Sequence, residues 1–266
     1  MPGNQITPLP WRKFASEFVG TGVLLLLGLS IVIALFGEGS PIARLIPDAR
    51  LRTILGGFLF GSVGGLIALS PVGKVSGAHI NPVVTAGFWL MGKIETPVAV
   101  GFILSQLLGG VVGCAPLLLW GSMGKSIEFG ATFPSTGYTP LQALLGEAAT
   151  TFGLVSALCV FIGYRPLRQF TPAMIPFLYA IMNPLEAHIS GDSTNPARSF
   201  GPAVISGHWS GWWIYWVGPV IGMVVAISLF SFLGMRVEQA RLYHFEADSR
   251  RVFREPKSGA KDLTAR

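Results

Sequence analysis

The chain has 266 residues, 51% of them apolar and 12% charged, with a formal net charge of +6. Soluble domains carry roughly a quarter charged residues, so half that density excludes an ordinary cytosolic enzyme, a disordered chain and a nucleic-acid-binding module. The composition predicts a lipid bilayer as the solvent, and spans of helical length make the expected fold all-α. Residues 236–266 hold eight basic and five acidic side chains, half of the excess charge, which leaves the remainder nearly neutral.

In chain order, six stretches approach the roughly 20 apolar residues needed to cross a bilayer: 14–36, 53–73, 96–124, 139–164, 169–185 and 209–235. The first is too long for a signal-peptide core and is predicted to remain as a span. Six crossings put both termini on one side. With that side cytoplasmic, fourteen Lys and Arg lie inside and five outside, so both termini are predicted to be cytoplasmic. Cys114 and Cys159 sit in apolar stretches away from metal-ligand partners and read as packing residues. No metal or cofactor is expected.

A repeat organises the chain. Ser76-Gly-Ala-His-Ile-Asn81-Pro82-Val83 matches Ser190-Gly-Asp-Ser-Thr-Asn195-Pro196-Ala197 at an offset of 114 residues, and Glu17-x-x-x-Thr21 matches Glu147-x-x-x-Thr151 at 130. Gly109 to Gly113 and Gly218 to Gly222 mark corresponding sites of close helix packing. The predicted organisation is an N-terminal cytoplasmic segment (1–13), a first repeat (14–124), an outer connecting loop (125–138), a second repeat (139–235) and a basic cytoplasmic tail (236–266). Three spans per copy is an odd number, so the copies must be inverted about an axis in the membrane plane.

Asn is a preferred N-cap and Pro suits the first helical position. Each Asn-Pro therefore opens a re-entrant half-helix, at 82–91 and 196–205, too short to span. The loops ahead of them are non-helical backbone at membrane depth, tolerated where it lines a water-filled cavity. A pore follows, with backbone of Gly77, Ala78, His79, Ser193 and Thr194 offering carbonyls along it and the Asn81 and Asn195 amides donating. Two opposed half-helix N-termini put about half an elementary positive charge each beside the path, which repels cations and hydronium. Arg198, an ionisable residue inside the membrane, is a further candidate for ion exclusion. Glu17 and Glu147 are expected to support the loops by accepting their free N–H groups, while Glu186 and His188 read as vestibule surface. An ion-coupled transporter shares inverted repeats and broken helices but needs midplane carboxylates or several polar groups, and that depth offers mainly Asn81, Asn195 and backbone. A hydrolase built on Ser193 with His79 lacks an oxyanion-hole motif.

Over about residues 11–235 the sequence resembles the aquaporin, or major intrinsic protein, family. The residues that carry the likeness are Asn81-Pro82-Val83, Asn195-Pro196-Ala197, Arg198, Ser199-Phe-Gly-Pro202 and Tyr215-Trp216. The resemblance implies six transmembrane helices plus two half-helices, a homotetramer with one pore per protomer, no enzymatic activity, and water or small uncharged solutes as permeants. Ser199, Ala203 and Tyr215-Trp216 are similar to its water-selective, bacterial-type branch, which implies a passive water channel in a bacterial inner membrane. Channels for glycerol, hydrogen peroxide or ammonia are the alternative. By the same resemblance the selectivity filter is Phe60, Asn183, Asp192 and Arg198. Asn183 stands where water channels commonly carry His, Asp192 where an uncharged small residue is usual, and Val83 replaces Ala. An Asp192–Arg198 ion pair narrowing the outer mouth is expected.

Overall fold

The computed structural model describes residues 9–235 and 237, so the tail predicted at 236–266, Val237 apart, lies outside the described residues. Eleven α-helices are described: α1 Trp11–Phe36, α2 Pro41–Leu45, α3 Ala49–Leu69, α4 Pro71–Ser76, α5 Pro82–Leu90, α6 Thr96–Cys114, α7 Gly121–Lys125, α8 Pro140–Gly163, α9 Thr171–Glu186, α10 Pro196–Ser206 and α11 Ile214–Phe232. Five runs, those of α1, α3, α6 extended to Lys125, α8 and α11, are long and apolar enough to cross a membrane. The sixth, α9, has 16 residues and a 3-10 turn, Arg165–Phe170, runs directly into it.

Element ends follow local chemistry. The Thr139 hydroxyl accepts from Gln142 N and the Gln142 side chain accepts from Thr139 N, a capping box that starts α8. The stretch predicted at 53–73 stops at Leu69 because Ser70 caps a new helix that Pro71 opens. The stretch at 96–124 gives way after Cys114 to a 3-10 turn, Ala115–Trp120. Pro116 causes this break, since it has no N–H to donate and its ring crowds the preceding turn.

The most extensive helix pairs are α1 with α6, α8 with α11, and α3 with α9. The first two are the same seam in the two repeats, and the third joins the repeats. Small residues let the backbones approach. A methyl placed on Gly222 would lie 2.7 Å from Phe152 N, and one on Gly61 would lie 2.8 Å from Pro176 Cα. Gly109 and Gly113 hold the α1–α6 seam in the same way, against the backbones of Phe18 and Gly22. Half-helices α5 and α10 both pack on α6 and α11, and they touch each other.

Candidate functional site

The two loops ahead of the half-helices fold alike. Gly77 has φ 96, Ala78 φ 55 and Ile80 φ 42; Gly191 has φ 98, Asp192 φ 47 and Thr194 φ 53. Left-handed backbone costs a non-glycine residue about 1–2 kcal/mol, so each loop needs a brace. Glu17 accepts from His79 N at 3.0 Å and from Ile80 N at 2.7 Å. Glu147 accepts from Ser193 N at 2.8 Å and from Thr194 N at 2.9 Å. Both carboxylates are fully buried.

The braces then diverge. Gln106 Nε2 donates to Glu17 at 2.7 Å and to Thr85 Oγ1 at 2.9 Å. In the second copy Ser190 Oγ donates to Glu147 at 2.8 Å and also bonds to Glu186, and Asp192 N donates to Glu186 at 2.6 Å. Glu186 is therefore a buried loop support and not vestibule surface. It ends α9 one turn ahead of the loop, which brings its carboxylate back onto the Asp192 amide. His188 lines the cavity bordered by Phe60 and Arg198.

The half-helices meet through their caps. Asn81 Oδ1 accepts from Val83 N at 2.9 Å, and Asn195 Oδ1 accepts from Ala197 N at 3.0 Å. Asn81 Nδ2 donates to Thr194 O at 3.0 Å, and Asn195 Nδ2 donates to Ile80 O at 2.9 Å. An amide nitrogen carries two hydrogens, and each crossing bond uses one. Pro82, Val83, Pro196 and Ala197 are buried in the first turns that follow. A hydroxyl chain steadies the second motif: Thr132 Oγ1 donates to Ser199 Oγ at 2.7 Å, Ser193 and Ser199 share a 2.6 Å bond, and Ser193 Oγ donates to Asn195 O at 2.9 Å.

Phe60, Asn183, Asp192 and Arg198 border one cavity of about 600 Å3. The Arg198 guanidinium carbon lies 5.8 Å from the Phe60 ring centroid, and Nη1 donates to Gly130 O at 2.6 Å. Asn183 Nδ2 donates to Thr53 O at 2.8 Å. The hydrogen-bonded pair expected between Asp192 and Arg198 is not formed. The left-handed Asp192 backbone is pinned by Glu186 while Arg198 is drawn to Gly130. His79 is packed within the protein, with its ring stacked 4.8 Å from Phe88, edge-on to Phe102 at 5.2 Å and 3.1 Å from Thr85 Oγ1 through Nδ1.

Tyr179 borders the same cavity, although it belongs to no motif. Its hydroxyl lies 2.6 Å from Thr194 Oγ1 and its ring centroid 6.4 Å from that of Phe60. A helical reading of α9 contains the signal, since Tyr179 precedes Asn183 by four residues and shares its face.

Long apolar helices around two short ones that meet end to end inside the bundle define an α-helical membrane channel. The family model "Major intrinsic protein" matches residues 5–230. Aquaporin-4 of Mus musculus is 33% identical over 228 residues, 84% of this chain and 67% of that protein. Aquaporin TIP1-2 of Zea mays is 33% identical over 245 residues, 90% of this chain and 92% of that protein. Among solved structures, the aquaglyceroporin from Plasmodium falciparum shares the fold with a TM-score of 0.69 at 22% identity, covering 83% of this chain and 95% of that one. The chain belongs to the major intrinsic protein family, whose members are channels and not enzymes.

Proposed function

We propose that the chain is a passive water channel that conducts along osmotic gradients and excludes protons and ions. The observation that carries this reading is the reciprocal pair of bonds from Asn81 to Thr194 O and from Asn195 to Ile80 O. They hold two half-helix N-termini head to head, with one amide hydrogen on each Asn left to donate to a passing oxygen. Water exchanges its bulk partners for these donors and for the loop carbonyls, whereas a cation meets the positive ends of two helix dipoles. Arg198, held between Phe60 and Gly130, adds a fixed charge at the outer mouth. Glu17 and Glu147 act as loop supports in this reading, and Phe60, Asn183, Asp192 and Arg198 form the filter.

A second reading, a channel for small neutral solutes, is favoured by Asn183. Its compact amide is tied back to Thr53 O, so that wall of the filter is less filled than a larger side chain would leave it. The exposed apolar faces of α6 and α9, including Leu104, Leu108, Phe177 and Ile181, suit lipid or neighbouring copies in a homotetramer. The charge distribution supports cytoplasmic termini.

Stopped-flow light scattering on proteoliposomes tests the function. Fast shrinkage in an impermeant osmolyte with no reswelling in glycerol is expected. Fast reswelling would establish the solute reading, and shrinkage no faster than that of empty vesicles would sink both.

A further inference from the structure

Tyr179 lines the cavity that also holds Arg198, and its hydroxyl bonds to the loop that leads into Asn195. Tyr179 projects from α9, and its ring lies within aromatic contact range of Phe60. The phenol hydroxyl lies 2.6 Å from Thr194 Oγ1. Thr194 uses its own hydroxyl proton to donate to Ser193 O at 2.7 Å, so Tyr179 is the donor in the shared bond and its oxygen retains acceptor capacity. Thr194 is also the residue whose carbonyl takes the Asn81 amide.

The ring cannot retreat with its helix. At the level of Tyr179, α9 lies so close to α3 that a methyl on Gly57 would strike the Tyr179 carbonyl. The outer cavity reaches Tyr179, Asp192 and Arg198, and neither Asn81 nor Asn195 lines it. Tyr179 thus stands where the wide vestibule gives way to the half-helix junction.

We propose that Tyr179 is a specificity-determining residue that sets the pore's cross-section just inside the arginine level, its ring locked in place by the hydroxyl bridge to Thr194. This rests on the reading that solute passes between the paired Asn residues. A permeant small enough to pass the ring and able to donate to its oxygen is admitted. Bulkier polyols are turned back here, at a point where Asn183 alone would let them through.

The test compares the parent chain with Tyr179→Val, Tyr179→Phe and Thr194→Val in proteoliposomes, with water and glycerol fluxes read by light scattering. Tyr179→Val is expected to raise glycerol flux by about tenfold or more, the scale of discrimination that one apolar group sets. Tyr179→Phe and Thr194→Val, which keep the ring and remove the bridge, should raise it by a smaller factor. If the parent conducts water and all three variants keep its water and glycerol fluxes, the proposal is wrong and the water reading stands. If the parent passes neither solute and Tyr179→Val passes water, the proposal is supported in its strongest form. If neither the parent nor any variant passes water faster than empty vesicles, both fall. Gel filtration in detergent checks folding, and the two bridge variants decide the matter should Tyr179→Val fail to assemble.

Discussion

Asn81 and Asn195 each donate an amide hydrogen to the loop that precedes the other, at 3.0 Å to Thr194 O and 2.9 Å to Ile80 O. Neither motif is held by its own repeat alone. Each loop is braced by a glutamate of its own repeat and locked by the opposite cap, so damage to one should be felt at the other.

Replacing Glu147 by Leu orphans the Ser193 and Thr194 amides, and Glu17→Leu orphans those of His79 and Ile80. A buried unsatisfied donor costs about 1–3 kcal/mol, so either variant loses several kcal/mol of stability. Thermal melts in detergent should show a large fall in midpoint for both, and Glu147→Gln, which keeps one acceptor oxygen, should fall less. Equal melts for the parent and both Leu variants would remove the bracing role.

Arg198→Val removes the guanidinium beside Phe60. A unit charge acting over about 8 Å at an effective dielectric near 20 is worth about 2 kcal/mol, or roughly a thirtyfold change in cation or proton leak. Leak measured with a pH-sensitive dye inside vesicles should rise on that scale while water flux persists. A leak that stays at the parent's value would assign ion exclusion to the half-helix ends alone.

Asp192→Asn tests the buried carboxylate. Burial of a charge is costly, and Asn tolerates left-handed backbone as Asp does, so φ 47 at this position is not disturbed. The variant should melt higher than the parent and conduct water at a similar rate, because Arg198 is anchored by Gly130 and not by Asp192. A lower midpoint would mean that the carboxylate has a stabilising partner.

The glycine seams predict sharply different tolerances. Gly61→Val would force a side chain into the Pro176 backbone, whereas a methyl on Gly153 meets only the Met182 sulfur at 3.6 Å. Overpacking costs about 1–3 kcal/mol or more where backbone cannot shift. Gly61→Val is therefore expected to abolish assembled protein in detergent gel filtration, while Gly153→Ala elutes as the parent does.

Much of this arrangement was legible in the linear sequence, because it depends on residues close together along the chain. Apolar runs of span length, Asn as cap with Pro after it, glycine recurring at four-residue spacing and the duplicated Glu-x-x-x-Thr are local patterns, and the physics that makes helices, caps and tight seams acts over one or two turns. Burial of Glu186 and the place of Tyr179 also had local signals, visible once α9 is drawn as a helix with a face, and the turn after Cys114 had one in Pro116.

What the three-dimensional fold alone decided are partnerships made with backbone atoms far away in the chain. Arg198 goes to the carbonyl of Gly130, 68 residues earlier, and Asn81 to that of Thr194, 113 residues later. Every residue has a carbonyl, so no side chain announces which one will be presented. Opposite charges at Asp192 and Arg198, set together by the filter that the family resemblance implies, suggested a pair, yet the left-handed backbone and the Glu186 bond fixed the direction of the aspartate first. Side-chain identity determines what a residue can bond to; the path of the chain determines what is within reach.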